Sequence, residues 1–194
     1  MSSRRRGREI ALQILCLLER QPELNSDDGL TLYFQHLLGS DLDVADGADG
    51  EPGDAAITSA VKAAKVSPSQ PLSPALLELR RFVEELVHGV YDHQAELDSL
   101  LGRCSRNWRL ARMSWVDRNL LRLACYELVF ALGTPVRVIL HQAIELARRY
   151  STSESPGFVN GVLDRAMREA GRADAPPAPS PAQPSPEAGE HAAG

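Results

Sequence analysis

The sequence predicts an all-α protein, a bundle of about seven helices, and both its composition and its apolar spacing support this fold class. Apolar residues make up 43% of the 194 residues, whereas aromatic residues make up only 5%. Leu and Ala therefore carry most of the core, and both favour helices, while strands draw on β-branched and aromatic residues. Apolar residues recur at helical spacing along most of the chain, and no stretch alternates as a half-buried strand would.

Two helices are predicted in the N-terminal part of the chain. The first covers 4–20, where isoleucines and leucines recur at helical spacing, and Pro22 limits its extent. The second begins at Asp27 or Asp28, because carboxylates suit a helix N-terminus, and it ends near Leu38. Each presents one apolar face, as helices that pack on a core do.

Two segments lack the composition of a packed core. Residues 39–73 are rich in Gly, Asp, Ala, Ser and Pro and are predicted to be a flexible acidic insertion with a transient helix near 55–65. Such a segment cannot bury enough apolar surface to offset the entropy lost on ordering. The predicted organisation is one helical domain over 1–171, interrupted by this insertion, and a disordered Pro/Ala-rich tail over 172–194.

The chain after the insertion is predicted to return to helix. A long helix starts at Pro74, in a first-turn position where the missing N–H costs nothing. Gly89 and Gly102 are expected to kink or end it. Residues 107–113 then form a connector or a single helical turn, and Ser114 is predicted to cap the next helix.

The helix that Ser114 begins is predicted to lie at the centre of the bundle. It runs to about Leu132 and is apolar on nearly all sides, which is typical of a helix surrounded by others. Gly-Thr-Pro at 133–135 then provides a stop, a cap and a restart. Two amphipathic helices follow, at 135–150 and 155–170, and their short connections predict antiparallel neighbours.

Charges are strongly segregated along the chain, so the net charge of −5 is misleading. Between Glu23 and Asp54 there are nine acidic residues and no Lys or Arg. Between Arg103 and Arg122 there are six arginines and one acid, and the first eight residues hold four arginines. A polyanion responds to the local field of a basic patch, so the mildly acidic chain is compatible with a nucleic-acid partner.

No set of residues predicts a catalytic site, a cofactor site or a metal site. His88 and His93 lie five residues apart, which does not align them on one helix face, and they are interpreted as solvated side chains. No phosphate-binding glycine loop, nucleophile elbow or HExxH segment occurs. No apolar run reaches the ~18 residues that cross a membrane. Cys16, Cys104 and Cys125 lack metal-ligand spacing and are interpreted as reduced thiols of a cytoplasmic protein.

Arginine clusters are the candidate contacts for a polyanion. Arg4, Arg5, Arg6 and Arg8 stand where the first helix begins, although the helix macrodipole disfavours cations there by roughly a few tenths of a kcal/mol. A bound polyanion would compensate, and the alternative is a frayed basic terminus that only aids solubility. Arg-Arg-Tyr at 148–150 falls at a helix C-terminus, where cations are favourable, so dipole complementation is the alternative there.

A further cluster combines Arg103, Arg106, Arg109 and Arg112. Their steps of three would form a basic ridge if the segment were one helix. Trp108 stands beside this ridge. It is either a stacking platform for an unpaired base or an anchor in the core, and on spacing alone the anchor is favoured.

Several ordered motifs of the chain resemble those of the NusB family of transcription antitermination factors. They are Asn107-Trp-Arg-Leu-Ala-Arg-Met, Val116-Asp-Arg-Asn-Leu-Leu-Arg-Leu-Ala-Cys-Tyr-Glu-Leu, Thr134-Pro-Val, Ala143-Ile-Glu-Leu-Ala-Arg-Arg-Tyr and Phe158-Val-Asn-Gly-Val-Leu-Asp. The start, Arg4-Arg-Arg-Gly-Arg-Glu, is similar to the family's N-terminus. The resemblance covers 4–38 and 74–171, and the run from Phe158 to Asp164 is its most specific part.

This resemblance implies a seven-helix fold of two small packed bundles. It also implies binding to the boxA element of nascent ribosomal RNA together with NusE, the free form of a small-subunit ribosomal protein, in an antitermination complex on RNA polymerase. A homodimer is one option for the free protein. The implied RNA-binding residues are Arg4, Arg5, Arg6, Arg8, Arg103, Arg148, Tyr150, Glu154 and Phe158. Asp117 matches an acidic position that faces NusE.

Three departures from the family pattern concern local contacts rather than the fold. His141-Gln142 replaces a common Asn-Glu pair, Ala111 a common Asp, and Cys16 a common Tyr. Two other functions stay open beside RNA binding with NusE. One is a helical protein–protein adaptor without RNA binding, and the other is a relative of the NusB-like domain fused to ribosomal RNA cytosine methyltransferases. The arginine cluster disfavours the first, and the missing cofactor loop disfavours the second.

Overall fold

The computed structural model describes residues 3–37, 74–105 and 110–172. Within these ranges the chain forms seven α-helices and no strand, which confirms the predicted all-α class. None of these helices is both long and apolar enough to span a bilayer. The helices are α1 (Ser3–Arg20), α2 (Ser26–Leu32), α3 (Pro74–Asp92), α4 (Gln94–Cys104), α5 (Trp115–Val129), α6 (Val136–Tyr150) and α7 (Ser155–Glu169).

Two short turns complete the described secondary structure. A π-helical turn, Tyr33–Leu37, continues α2, and a 3-10 turn, Leu110–Arg112, lies in the predicted connector before α5. The acidic insertion predicted at 39–73, Trp108 and the tail beyond Arg172 lie outside the described residues.

The N-terminus of α2 is closed by a capping box. The Asn25 side chain accepts a hydrogen bond from the Asp28 backbone N–H at 3.0 Å, and the Asp28 carboxylate accepts one from the Asn25 N–H at 3.3 Å. These bonds satisfy donors that the start of a helix leaves free. α2 therefore begins at Ser26, one residue before the earliest predicted start.

The predicted long helix after Pro74 is divided in two, and the break lies at His93 rather than at a glycine. α3 ends at Asp92 and α4 begins at Gln94. The His93 ring stacks on Phe130 with 4.0 Å between the ring centroids. A contact with the end of α5 thus accompanies the break, and no local sequence signal could have placed it there.

Gly89 lies within α3, which continues for three residues beyond it, so of the two predicted effects, a kink or an end, the end does not occur at Gly89. Its role is to let α5 approach. A Cβ at this position would lie 2.0 Å from Cζ of Tyr126, closer than real Cβ contacts. The ring of Tyr126 therefore packs directly against the α3 backbone, which only glycine permits.

α5 is the centre of the fold, as its apolar sequence predicted. It contacts α1, α3, α4, α6 and α7. α1, α2 and α3 form an N-terminal group on one part of it, and α4, α6 and α7 pack on the rest. The two groups share one continuous apolar core. Its fully buried side chains include Ile10, Ile14, Leu86, Leu101, Leu121, Leu128 and Leu163.

The start of α5 agrees with the predicted boundary, and its end does not. The helix ends at Val129 rather than near Leu132, and Leu132 is 65% exposed. Phe130 and Trp115 are also exposed, so the helix is not surrounded at its ends. The start agrees with the prediction, because the Ser114 hydroxyl accepts a hydrogen bond from the Asp117 N–H at 3.0 Å.

Arg172 closes the C-terminal end of α5, although the sequence placed this residue in the tail. Its guanidinium donates to the backbone carbonyl of Leu128 at 2.9 Å and to those of Glu127 and Thr134 at 3.4 Å. A cation suits this end of a helix because the last carbonyls carry the negative pole of the macrodipole. Gly171, with φ of +67°, turns the chain so that Arg172 can reach them.

The close approach at Gly89 predicts that Gly89→Ala destabilises the protein. The added methyl group would displace the Tyr126 ring, at a cost of about 1–3 kcal/mol in the free energy of unfolding. Gly161→Ala is the matched control, because nothing lies within 4 Å of a Cβ there. Alanine in that exposed helical position should stabilise by roughly 0.5–1 kcal/mol. Urea unfolding measures both, and equal stability of the two variants would contradict the proposed contact.

Candidate nucleic-acid interface

The start of α1 and the end of α6 meet at one buried carboxylate, Glu9. Only 3% of Glu9 is exposed. Its Oε1 accepts a hydrogen bond from the Tyr150 hydroxyl and lies 3.1 Å from Nη1 of Arg149, while its Oε2 lies 3.1 Å from Nη1 of Arg6. Two arginine clusters that are far apart in sequence therefore form one surface. We call this the basic surface and define it as Arg4, Arg5, Arg6, Arg148, Arg149 and Tyr150.

Phe82 of α3 supports the N-terminal part of the basic surface. The guanidinium carbons of Arg4 and Arg8 lie 5.0 Å and 5.5 Å from the centroid of its ring. Guanidinium groups stack favourably on aromatic faces, so Phe82 restrains both side chains. Arg4 is exposed, Arg5 is half-buried and 32% of the Arg6 side chain is exposed, so all three can meet a ligand.

Arg8 is buried and belongs to the structural framework. Only 4% of it is exposed. Its Nε and Nη2 donate to the two carboxylate oxygens of Glu127 at 2.8 Å and 2.7 Å, and its Nη1 donates to the Arg4 carbonyl. All three nitrogens are therefore engaged inside the protein. This burial does not support the predicted RNA contact by Arg8.

Tyr150 combines a buried hydroxyl with a partly accessible ring. Burial, and next the hydrogen bond to Glu9, raise the pKa of Tyr150 above its ordinary value, so the phenol stays protonated and keeps donating. The guanidinium carbon of Arg149 lies 5.3 Å from the ring centroid and covers part of one face. Tyr150 therefore can contribute ring surface to a ligand but not its hydroxyl.

The other predicted residues near α6 lie on the short connection to α7 or beside it. Arg148 is 63% exposed in its side chain and pairs with Glu145 at 2.5 Å. Glu154 is exposed and immediately precedes α7. Phe158, in the first turns of α7, is half-buried against the core. All three are accessible at least in part, so the structure is compatible with contacts by each.

Arg103 lies apart from the basic surface. It stands at the end of α4, where it is paired with Glu169 of α7 and its Nη1 donates to the Ser99 hydroxyl at 2.9 Å. The hydrogen bond from Arg103 lowers the pKa of Glu169 and keeps that carboxylate charged. The condition for a basic ridge, one continuous helix through Arg103 and Arg112, is not met, and Arg106 and Arg109 lie outside the described residues. α4 ends at Cys104, and Ser105 leaves helical geometry, so no single helix carries the four arginines.

Asp117 is buried between the N-termini of α5 and α7. It is 8% exposed, and its Oδ2 accepts a hydrogen bond from the Ser155 hydroxyl at 3.1 Å. Within the described part of the chain, Oδ1 is buried and has no hydrogen-bond partner. Trp115 at the start of α5 is 47% exposed, with the Arg20 guanidinium carbon 4.9 Å from its ring centroid. The start of α5 therefore carries a buried carboxylate with an unused acceptor and, two residues earlier, an exposed aromatic residue.

Cys16, one of the departures from the family pattern, contacts this same region. Its Sγ accepts a hydrogen bond from the Asn119 side chain at 3.8 Å. Burial raises the pKa of Cys16 to about 12 and that of Cys104 to about 11, so both stay protonated at neutral pH. Cys125 is fully buried, and the described structure contains no disulfide.

The sequence predicted that His88 and His93 are solvated. Both side chains instead make contacts within the fold. His88 of α3 lies with Nδ1 3.1 Å from the Ser26 hydroxyl and Nε2 3.4 Å from Asp27, so it links α3 to the start of α2. His93 stacks on Phe130. No group of three His, Cys, Asp or Glu residues in the described ranges is arranged to hold a metal ion.

Glu9 and Arg149 were not among the predicted site residues. Glu9 follows Arg8 directly, and its spacing of three from Arg6 on one helix was the only signal in the sequence. Arg149 belonged to a recognised arginine cluster, but the family resemblance assigned no role to it. The contact that unites them with Tyr150 joins residues 141 positions apart, which no local pattern reveals.

The fold and the basic surface define a class of protein. A small helical bundle presents arginines from two helix ends beside an aromatic ring, which suits the phosphates and bases of a nucleic-acid strand. A sequence model described as the NusB family matches residues 69–168. The transcription antitermination protein NusB of Solibacter usitatus is 38% identical over 180 residues, covering 92% of this chain and 97% of that relative. The chain belongs to the NusB family.

Other relatives agree with this assignment. The transcription antitermination protein NusB of Syntrophotalea carbinolica is 47% identical over 102 residues, which span 52% of this chain and 65% of that relative. The solved structure of NusB from T. maritima has a TM-score of 0.59 at 28% identity, covering 86% of this chain and 91% of that one. A structure of antitermination factors NusB and NusE in complex with double-stranded RNA has a TM-score of 0.60 at 18% identity, covering 87% and 98%, and shows the shared fold.

The buried pair of Arg8 and Glu127 predicts that Arg8→Gln is strongly destabilising. Removing one partner leaves an uncompensated buried charge, and the free energy of unfolding should fall by about 3–5 kcal/mol. Arg5→Gln, at a half-exposed position on the same helix, should change it by less than about 0.5 kcal/mol. Replacing both partners, as Arg8→Met with Glu127→Leu, should restore much of the loss. Chemical denaturation distinguishes these cases, and an Arg8→Gln variant as stable as Arg5→Gln would contradict the framework role.

Proposed function

We propose that this protein is a transcription antitermination factor that binds boxA-type single-stranded RNA in nascent ribosomal RNA, together with NusE. The observation that carries the proposal is the convergence of Arg4–Arg6 and Arg148–Tyr150 on one surface around Glu9. Bound in this way, the protein supports antitermination by RNA polymerase. It acts in the cytoplasm as a binding protein and not as an enzyme.

The chemistry of the basic surface fits a flexible RNA strand. Exposed guanidiniums bind phosphates, often through two parallel N–H···O bonds, and so fix the path of the backbone. Unpaired bases stack on aromatic or guanidinium planes, which the Arg149–Tyr150 pair and Phe158 provide. Glu154 is exposed beside them and can accept hydrogen bonds from exocyclic amines of bases. Phosphate contacts supply affinity, while base contacts supply preference for a sequence.

Relatives support the choice among functions. The NusB proteins of Solibacter usitatus and Syntrophotalea carbinolica are both named transcription antitermination proteins. Of the RNA-binding residues that the sequence suggested, we retain Arg4, Arg5, Arg6, Arg148, Tyr150, Glu154 and Phe158. Within the described ranges, the hydrogen bonds of Arg103 go to Ser99 of α4 and Glu169 of α7, so we assign it a peripheral contact.

We infer that NusE binds at the start of α5, around Asp117. A buried acceptor without a hydrogen bond is unfavourable by about 1–3 kcal/mol, and a partner that repacks the start of α5 can bring a donor to Oδ1. The exposed Trp115, two residues earlier in α5, can provide the apolar centre of such an interface. A homodimer of the free protein is a further candidate assembly.

Neutralising the basic surface should weaken RNA binding and reduce its salt dependence. A variant with Arg4→Gln, Arg5→Gln and Arg148→Gln loses three candidate phosphate contacts at exposed or half-exposed positions. For a single strand, each lost contact lowers the slope of log K against log salt by about 0.7. Filter binding with a boxA RNA and a scrambled RNA, with and without NusE, measures both quantities. A slope equal to that of the wild type would remove these arginines from the interface.

Asp117→Asn should weaken NusE binding while leaving the affinity of the free protein for RNA unchanged. The substitution keeps the size of the side chain but removes the charge that strengthens a hydrogen bond to a partner donor, so a loss of roughly tenfold is expected. Asp164→Asn is the control, because Asp164 is an exposed acid paired with Arg168 on α7. Titration calorimetry with purified NusE measures the affinity of both variants. Equal effects of the two substitutions would place NusE elsewhere.

A further inference from the structure

The carboxylate of Glu9 connects two helices whose other contacts are few. Its Oε1 accepts a hydrogen bond from the Tyr150 hydroxyl and forms an ion pair with Arg149, both of α6. Its Oε2 forms an ion pair with Arg6 of α1. Both oxygens are thus in use, and only 4% of the side chain is exposed. The three partner groups belong to the surface that we assign to RNA binding.

A buried acid beneath a surface for a polyanion requires an explanation. A carboxylate loses favourable hydration on burial, and its charge repels phosphates nearby. Three donors offset the lost hydration, but a neutral residue would avoid both costs. A positioning role would explain the buried acid. Long arginine side chains lose entropy when they are fixed, so they need a partner such as this carboxylate to keep one geometry.

Arg149 shows what this geometry provides. Its Nη1 is directed at Glu9, its guanidinium carbon lies 5.3 Å from the Tyr150 ring centroid, and 53% of its side chain is exposed. A guanidinium carries five N–H donors, so several remain available to solvent after one is directed inward. The carboxylate and the ring together orient these outer donors before any ligand arrives. Such preorganisation raises affinity because less freedom is lost on binding.

We propose that Glu9 is a positioning residue that holds Arg6, Arg149 and Tyr150 ready for RNA, and that Arg149 is an additional phosphate-binding residue. The proposal rests on the proposed function of the basic surface and extends it to two residues that the family resemblance did not assign. Glu9 acts through its partners and does not touch the RNA.

Two physical effects of replacing Glu9 have opposite signs, which makes the role of this residue testable. If Glu9 acted only as a negative charge, Glu9→Gln would strengthen RNA binding, because one repulsive charge is removed. If Glu9 positions its partners, the same change weakens binding, because the neutral amide holds two guanidiniums poorly. Glu145→Gln is the matched control. It also removes one negative charge beside the basic surface, from α6 instead of α1, and among the described residues the ion pair of Glu145 is with Arg148.

The first measurement is the affinity of each variant for a boxA RNA oligonucleotide in the presence of saturating NusE. We expect Glu9→Gln to bind on the order of tenfold more weakly than the wild type, as for the loss of hydrogen bonds to charged groups. Glu145→Gln should bind as the wild type does or more tightly. Circular dichroism and thermal unfolding confirm that each variant is folded. Binding by a folded Glu9→Gln variant that equals or exceeds that of Glu145→Gln would overturn the positioning role.

The second measurement addresses Arg149 and does not depend on a buried substitution. Arg149→Gln changes a half-exposed side chain and should lower the salt slope of RNA binding by about 0.7, the value for one phosphate contact with a single strand. Arg168→Gln is its control, because Arg168 is also exposed and paired with a carboxylate, but it lies near the end of α7. Equal slopes for the two variants would overturn the assignment of Arg149.

The outcomes separate this inference from the proposed function. A wild-type protein that fails to bind RNA even with NusE would overturn the proposed function and this inference with it. Wild-type binding together with unchanged Glu9→Gln and Arg149→Gln variants would overturn the inference alone. Should Glu9→Gln not fold, the Arg149→Gln arm and a Tyr150→Phe variant, which removes only one donor to Glu9, decide the question. We expect Tyr150→Phe to fold and to bind RNA more weakly than the wild type.

Discussion

The antiparallel packing of α1 on α5 is the constraint on which the rest of the structure depends. Near the start of α1, buried Arg8 forms two hydrogen bonds with Glu127. Near its end, Glu19 accepts hydrogen bonds from Arg118 and Asn119. Because charged contacts lie at both ends, α1 can neither slide nor turn on α5 without leaving a buried or half-buried charge unpaired.

This register gives neighbouring residues of α1 different roles. Successive residues of a helix point about 100° apart, so Arg8 faces α5 while Glu9 faces the end of α6. The arginines one turn earlier lie where α1 leaves the bundle, with Arg4 stacked on Phe82 of α3. A run of similar residues in the sequence therefore divides into a structural arginine and several accessible ones. The same packing that stabilises the fold thus shapes the proposed RNA surface.

The proposed partner surface lies at the other end of the same pair of helices. The last residue of α1, Arg20, stacks over Trp115 at the start of α5, and Asp117, in the first turn of α5, accepts a hydrogen bond from Ser155 of α7. α1 thus extends from the basic surface to the region assigned to NusE.

The sequence predicted the features that depend on local interactions and missed those that depend on contacts between distant residues. Helices at 4–20, 135–150 and 155–170 were predicted within one or two residues, because apolar periodicity and end signals are local. The break at His93 was missed because the ring that stacks on His93 belongs to Phe130, which follows α5 and is distant in the sequence. The four arginines do not share one helix face, because α4 ends at Cys104 and a spacing of three aligns side chains only within a helix.

The sequence by itself determined the fold class, the family and the positions of the arginine clusters, since these depend on residue types and their local spacing. Only the tertiary structure decided which arginine is buried and which carboxylate joins the clusters. Arg8 meets Glu127 across 119 positions, and Tyr150 meets Glu9 across 141. Burial and ion pairing over such separations arise from helix packing, so the sequence pattern of a single helix does not predict them.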